Sequence, residues 1–174
     1  TYFIVAHIHY VLFGGSLFGA FAAVYFWFPK MFGRHMDETW GKIHFVLSFL
    51  AFNMTFFLMH IVGIGGMPRR YMSFEIHEYL GPFHGLNKVM TMSAWALGLS
   101  QIPFLVNFAV SLFAGRRATQ NPWDANTLEW AAAPSPPPHG NFGPELPTVY
   151  RPPYEYSVPG AAEDFIPQNS AAGT

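Results

Sequence analysis

Three long runs of apolar residues, separated by short polar segments, dominate the chain before residue 115. About 20 apolar residues of α-helix cross the hydrocarbon core of a bilayer, and each run is long enough to do so. Proline, glycine or arginine follows the end of each run, as expected where a helix stops. The pattern therefore predicts an all-α membrane protein with three transmembrane helices, at about 2–28, 43–64 and 89–113.

Residues inside these runs predict how the helices bend and pack. Pro103 lies within the third run and is expected to kink that helix, because proline lacks the backbone donor and crowds the preceding turn. Gly14, Gly15 and Gly19 lie in the first run, where glycine lets a neighbouring membrane helix approach closely. We interpret these glycines as packing positions.

The composition changes after Arg117, where proline becomes frequent. We predict two regions: 1–117, a three-helix transmembrane segment with the candidate ligands, and 118–174, an extended Pro-rich tail. Such a tail has no core of its own and would lie along the surface of a partner. A disordered tail is the alternative. The aromatic residues available to anchor it are Trp123, Trp130, Tyr150, Tyr154 and Tyr156.

The overall composition agrees with a membrane protein and excludes other classes. Only 11% of the 174 residues are charged, against about a quarter in an average soluble domain. The net charge of −1 gives no indication of nucleic-acid binding, and the absence of cysteine excludes disulfides and thiolate metal sites. The first run begins at Thr1 without a basic leader, so we expect a fragment, a split gene product or a piece of a larger polypeptide.

Basic residues predict the orientation of the helices. Loops on the cytoplasmic side carry an excess of lysine and arginine. The loop after the first run and the end of the third run both carry such residues, and three spans place them on the same side. That side, together with the tail, is therefore expected to be cytoplasmic or, in mitochondria, to face the matrix. The residues are Lys30, Arg34, Lys42, Arg116 and Arg117.

Arg69 and Arg70 break this pattern, because the loop between the second and third runs then faces outward. Arginine binds carboxylates through paired hydrogen bonds. A buried or interfacial anion on the outer side would explain the pair.

His7 and His9 are the most informative pair in the chain, since they lie inside the first apolar run. Residues i and i+2 of an α-helix point about 200° apart, so the two imidazoles would reach different groups rather than share one metal. A titratable side chain in lipid is costly and usually functional. A metal, a haem iron or a hydrogen-bonded neighbour could be the partner. Haem combines an iron that takes an axial imidazole with two propionates that pair with cations.

Several motifs occur in order along the chain and carry a family resemblance. The chain resembles the C-terminal third of subunit I of the haem–copper oxidases, of the mitochondrial-type cytochrome c oxidase branch. The matching stretches are VAHIHYV at 5–11, YFWFPKM at 25–31, WGKIHF at 40–45, NMTFF at 53–57, GMPRRY at 66–71, NPW at 121–123 and TLEW at 127–130.

The resemblance implies a fold and a set of site residues. The complete subunit would have twelve membrane helices, of which these are the tenth to twelfth. His7 would ligate the iron of the high-spin haem, opposite a copper ion, and His9 the iron of the low-spin haem. Arg69 and Arg70 would bind haem propionates, and Phe56 would pack near the low-spin haem.

The chain departs from the family in one residue and lacks much of the machinery. Ile8 stands where the family usually has phenylalanine, which should alter packing between the haems. The copper-binding histidines, the cross-linked tyrosine, the second low-spin ligand and the proton-pathway entries would lie before Thr1. The cofactors implied are two haems of the haem A type, with the copper, and a magnesium ion where present, bound outside this chain.

The resemblance also implies an activity and partners. The chain is expected to form part of the catalytic subunit of a terminal oxidase. That enzyme would reduce oxygen to water and translocate protons, with electrons from cytochrome c or a tethered c-type domain. Its partners would be the N-terminal part of subunit I, subunits II and III, and the lipid of a bacterial plasma membrane or mitochondrial inner membrane. A quinol-oxidising relative is the alternative. A cofactor-free three-span accessory subunit belongs to a different class.

The other histidines have weaker claims. His44 and His60 are about 24 Å apart along one helix at 1.5 Å per residue, so they cannot share a metal, and we expect each to be a hydrogen-bonded structural residue. His77 and His84 flank the outer loop near Glu75 and Glu78, where a solvated loop is expected rather than a metal site. Lys88 is expected to reach the membrane interface. No role is predicted for His35 or His139.

Overall fold

The computed structural model describes residues 1–70, 72–73, 76–155 and 158–171, and within them the chain is helical, with no strand. In order, α1 is Tyr2–Ile8, a π-helical stretch covers His9–Leu17, α2 is Phe18–Phe32 and α3 is Glu38–Ile64. A 3₁₀ turn at Glu78–Phe83 leads into α4 (His84–Leu99), followed by α5 (Ile102–Ala114) and the single turn α6 (Leu128–Ala131).

Three of the helical segments are long and apolar enough to cross a membrane, which confirms the predicted number. We call them span 1 (Tyr2–Phe32), span 2 (Glu38–Ile64) and span 3 (Glu78–Ala114). Each is longer than its apolar run, because polar or turn-forming residues continue the helix beyond it. In span 1 the helix passes through Pro29 before it ends at Phe32.

The kink expected at Pro103 is a break in span 3. Helix α4 ends at Leu99, and α5 begins at Ile102. Proline lacks a backbone N–H and crowds the carbonyl four residues earlier, which here is that of Leu99, where α4 ends. Ser100 and Gln101 occupy the interruption, where their side chains make hydrogen bonds within the membrane region.

Span 1 contains a feature that the sequence did not predict. Its backbone changes from α-helix to π-helix at His9 and returns to α-helix at Phe18. The change begins where the imidazole of His9 donates a hydrogen bond from Nδ1 to the carbonyl oxygen of Val5, at 2.7 Å. A side chain that enters the backbone ladder is a recognised cause of such irregularity, and π-helical turns are frequent at functional sites.

Thr1–Val24 and Asp37–Ala109 form one compact unit, in which spans 1 and 2 and most of span 3 pack together. One buried cluster consists of Ala51, Phe52, Phe56 and Leu97, and a second of Val62, Met67, Leu80 and Met90. At the start of span 2, Asp37 caps the helix by accepting a hydrogen bond from the backbone N–H of Trp40 at 3.0 Å. The side chain of Asn107 then binds both the N–H and the C=O of Asp37.

Tyr25–Met36 and Val110–Thr174 form the second compact unit. In the described residues of its tail the only helix is the single turn α6, yet Trp130 is only 2% exposed. The ammonium of Lys30 lies 4.9 Å from the ring centroid of Trp130 and donates to the carbonyl of Ala133 at 2.8 Å. The ring of Phe26 stacks on Trp123. Farther along, Gln168 is hydrogen-bonded to Asn126, Leu128, Tyr150 and Arg151.

Candidate functional site

His7 lies on α1 with its side chain exposed, directly after the fully buried Ala6. Within the described residues the imidazole of His7 has no hydrogen bond or ion pair. A polar ring on the surface of a membrane span needs a partner, because unpaired polar groups are costly in lipid. His7 is therefore available to a group that lies outside this chain.

His9 is held in a defined orientation. Its Nδ1 is 2.7 Å from the carbonyl oxygen of Val5, and because a carbonyl only accepts, Nδ1 carries the proton. The other nitrogen, Nε2, is then unprotonated in the neutral ring and available as a ligand. Metal-bound histidines commonly have their second nitrogen fixed in this way.

Phe56 of span 2 supports the ring of His9 from one side. The two rings stack with centroids 4.4 Å apart and planes within 15° of parallel. Phe56 is 8% exposed and also contacts Phe52, at 5.0 Å between centroids. The structure thus brings Phe56 to His9, and a hydrogen bond and a ring stack together restrict the imidazole.

An open groove of about 660 Å³ runs along span 1 beside His9. Its walls are apolar apart from two side chains, the imidazole of His9 and the hydroxyl of Ser16. A groove of this kind, with few polar groups on an apolar wall, is typical of a cofactor-binding surface. The lining residues are Ile8, His9, Leu12, Phe13, Ser16, Leu17 and Ala20.

His7 does not line this groove, so the two imidazoles lie on different surfaces of the span. Among the described residues, no group of three or more His, Cys, Asp or Glu side chains could hold a metal ion. The arrangement suits two groups that each take a single imidazole from this chain.

Arg69 and Arg70 are both exposed and lie near the start of span 1. The backbone N–H of Tyr2 donates to the carbonyl of Met67 at 3.0 Å, which fixes the loop before the arginines against the first turn of the span. His7 and His9 follow five and seven residues after Tyr2, about 8 and 10 Å farther along the helix. Neither arginine forms an ion pair within the described part of the chain.

Arg70 has an unusual backbone conformation, with φ of 60°. This left-handed region is uncommon for residues other than glycine, asparagine and aspartate, and it costs free energy. Arg69 and Arg70 therefore lie in an irregular turn and not in a helix or a strand.

The remaining histidines divide into two kinds. His44 is buried, and its Nε2 lies 3.2 Å from Oε1 of Gln101, which confirms that it is a hydrogen-bonded residue. The buried Nδ1 of His60 instead has no hydrogen-bond partner within the described residues, so for this nitrogen the expectation was wrong. The ring of His60 meets the ring edges of Phe3 and Tyr10, which replace the expected polar contact.

The described residues of the outer loop form no further candidate metal site. His77 lies 5.5 Å from Tyr79 between ring centroids. Glu75, which was considered as a neighbour of His77, lies outside the described residues.

The glycines at which the helices approach closely are only partly those that the sequence predicts. At Gly14 an added Cβ would lie 3.2 Å from the ring of Phe52, so this packing position is confirmed. Gly15 and Gly19 have no neighbour within 4 Å in the described chain. Gly63, which no motif singled out, lies directly against the backbone of Phe3.

The chain matches the protein family described as Cytochrome C and Quinol oxidase polypeptide I over residues 1–96. It is 45% identical, over its whole length, to the alternative cytochrome c oxidase subunit 1 of Bradyrhizobium diazoefficiens. It is 47% identical to cytochrome c oxidase subunit 1 of Synechocystis sp. over 91% of the chain. The corresponding protein of Bacillus subtilis is 46% identical over 86% of the chain. The chain spans 30%, 27% and 23% of the length of these curated relatives.

Proposed function

Because the chain belongs to the family of cytochrome c and quinol oxidase polypeptide I, we propose that it forms the C-terminal part of the catalytic subunit of a haem–copper terminal oxidase. Its three spans would be the tenth to twelfth of a twelve-helix subunit. The complete enzyme would reduce oxygen to water with electrons from cytochrome c and translocate protons across the membrane.

The orientation of His9 carries the proposal. Its Nδ1 is committed to the Val5 carbonyl, its ring rests on Phe56, and its Nε2 is the nitrogen left for an axial bond. An imidazole held this way beside an apolar groove fits the low-spin haem. Donation to a carbonyl also fixes the tautomer and the orientation of the ring, as in many metal-bound histidines.

His7 would bind the high-spin haem from another surface of span 1. The short segment between His7 and His9 would then separate the two irons and offer a short route for electrons. The chemistry supplied by the bound haems is electron transfer and oxygen reduction, while this chain sets their position, axial ligation and electrostatic surroundings.

Arg69 and Arg70 would bind the propionates of these haems. They are exposed, they have no ion pair among the described residues, and they lie at the end of span 1 nearest to both histidines. Their positive charge would offset the propionate charge and favour the reduced haems.

The rest of the assembly would come from other chains or segments. The copper ligands, and those of a magnesium ion where one is bound, would lie outside residues 1–174, and both haems would be of the haem A type. Subunits II and III, the N-terminal part of subunit I, and cytochrome c or a tethered c-type domain would be the partners. The enzyme would lie in a bacterial plasma membrane or mitochondrial inner membrane, with residues 118–174 on the cytoplasmic or matrix side.

The test uses the purified, assembled oxidase with one histidine replaced at a time. His7→Ala should remove the high-spin haem signal while most of the low-spin absorbance remains, and His9→Ala should do the reverse. His139→Ala, in the exposed tail, is the matched control and should retain both signals. Full occupancy of both haems in both ligand variants would contradict the assignment.

Two alternatives are decided by separate measurements. A quinol oxidase would oxidise quinol but not reduced cytochrome c, because the donor site belongs to another part of the complex. A cofactor-free accessory subunit would give a purified complex whose haem content does not depend on His7 or His9.

A further inference from the structure

Ser16 is a polar side chain that has no hydrogen-bond partner among the described residues and lies on an apolar membrane surface. It lines the same groove as His9, and apart from His9 the other lining residues are apolar. Serine in a membrane helix normally returns its hydroxyl to a carbonyl one turn earlier, as Thr55 does with Ala51 at 2.8 Å. Within the described residues Ser16 makes no such bond, and it is exposed on the groove, so its hydroxyl is available to a group from outside this chain.

The position of Ser16 relative to His9 limits what that group is. Ser16 lies seven residues beyond His9, more than one helical turn farther along the span and away from the end that carries Arg69 and Arg70. A planar macrocycle bound to His9, with carboxylates directed toward the arginines, would have its opposite edge near Ser16. The hydroxyl would therefore meet the edge that carries no propionate.

We propose that Ser16 hydrogen-bonds to a hydroxyl-bearing substituent on the edge of the low-spin haem opposite its propionates. This rests on the proposed function, in which His9 binds that haem. A haem with only hydrocarbon substituents at that edge would leave the Ser16 hydroxyl unpaired in lipid, which is unfavourable. Ser16 is therefore a residue that selects the haem type.

The test compares three variants of the purified, assembled oxidase. Ser16→Ala removes the hydroxyl, and Ser16→Thr retains one. Thr91→Ala is the control, because it removes an exposed hydroxyl that is bonded within α4 and lies off the groove. Three readouts are collected: the low-spin absorption maximum, the resonance Raman bands of peripheral substituents, and the mass of each extracted haem.

For Ser16→Ala we expect both haems to remain, with a shift of the low-spin maximum and of one peripheral substituent band. Loss of one net hydrogen bond should also increase the rate of low-spin haem release on mild heating by about fivefold. Ser16→Thr should restore the wild-type spectrum, and Thr91→Ala should not change it. The formyl C=O band should stay unshifted in Ser16→Ala, because in haem A the formyl group lies on the propionate side of the ring system, and a formyl shift with no other change would contradict a hydroxyl partner.

Two results would overturn the inference while the proposed function stands. One is an unchanged low-spin spectrum in Ser16→Ala with both haems bound, including the case in which only thermal stability falls, as for a contact with another helix. The other is an extracted low-spin haem with no oxygen on the edge opposite the propionates. If His9→Ala instead retains the low-spin haem, the proposed function itself is wrong.

Discussion

The α-carbon of Gly63 in span 2 lies directly against the backbone of Phe3 in span 1, and no side-chain atom fits between them. This contact is made of main chain, which cannot rotate away as a flexible side chain can. It sets the separation of the two helices about one turn from His7. The position of the first histidine therefore depends on a glycine in another span.

Gly63→Ala should displace span 1, because the added methyl group would overlap the Phe3 backbone. Overpacking of this kind costs about 1–3 kcal/mol, and we expect a lower thermal midpoint with a reduced high-spin haem content. Differential scanning calorimetry and the haem-to-protein ratio of the assembled oxidase measure the two effects.

Gly98→Ala is the matched control, since Gly98 lies within α4 and an added Cβ would meet no atom of a neighbouring element within 4 Å among the described residues. There the helix should be unaffected or stabilised by roughly 0.5–1 kcal/mol, the usual difference between alanine and glycine in a helix. Equal loss of haem in both variants would show that the Phe3 contact is not what matters.

Arg70→Asn should lower the midpoint potentials of the haems. Asparagine tolerates the left-handed backbone that Arg70 adopts, so the substitution removes the positive charge with little added strain. Less cationic stabilisation disfavours the reduced form, and a tenfold shift in a one-electron equilibrium is about 59 mV. Potentiometric titration of the assembled oxidase, followed in the visible spectrum, measures the change.

Lys88→Gln provides the comparison, because it removes an exposed positive charge from the first turns of α4 instead of from the arginine turn. If both variants shift the potentials by the same amount, the arginine turn has no specific role. Unchanged potentials in Arg70→Asn would contradict propionate binding at this residue.

Lys30→Met should loosen the tail around Trp130. The substitution keeps an apolar chain of similar length but removes the donor to the Ala133 carbonyl and the cation over the Trp130 ring. A buried carbonyl left without a partner costs about 1–3 kcal/mol. We expect faster protease cleavage between 118 and 135 in the detergent-solubilised complex, followed by mass spectrometry.

Lys42→Met tests whether the loss of any lysine would speed protease cleavage of the tail. Its ammonium pairs with Glu38 at 3.0 Å on an exposed surface, where such pairs contribute about 0.3–0.5 kcal/mol. Its cleavage pattern should match the wild type, and unchanged cleavage in Lys30→Met would show that the buried lysine does not hold the tail.

The sequence predicts the three spans and a distortion at Pro103 because both follow from strong local constraints, although the structure has a break there and not only a kink. A bilayer demands about 20 apolar residues of helix, and proline removes one donor from the backbone ladder. The loop containing Arg69 and Arg70 could likewise be placed near the histidine end of span 1, because the number of spans determines which loops share a side.

Contacts between distant residues could not be predicted in the same way. The stack of His9 on Phe56 and the approach of Phe3 to Gly63 depend on how two helices rotate about their axes, which apolar periodicity leaves open when most of the helix is apolar. The family resemblance placed Phe56 near a haem, but it gave no reason to expect the ring to support His9. The rotation of the helices also decides which groups face His60. The ring of Phe3 lies against it, and its Nδ1 has no hydrogen-bond partner among the described residues.

The π-helical stretch has a geometric consequence for the groove. The lining residues recur at every fourth position, as two adjacent columns, 8-12-16-20 and 9-13-17. In a regular α-helix with 3.6 residues per turn, such columns would rotate around the axis by about 40° at each step. The wider turns from His9 to Leu17 rotate such columns in the opposite direction, so the α-helical and π-helical parts offset each other and both columns line a single groove.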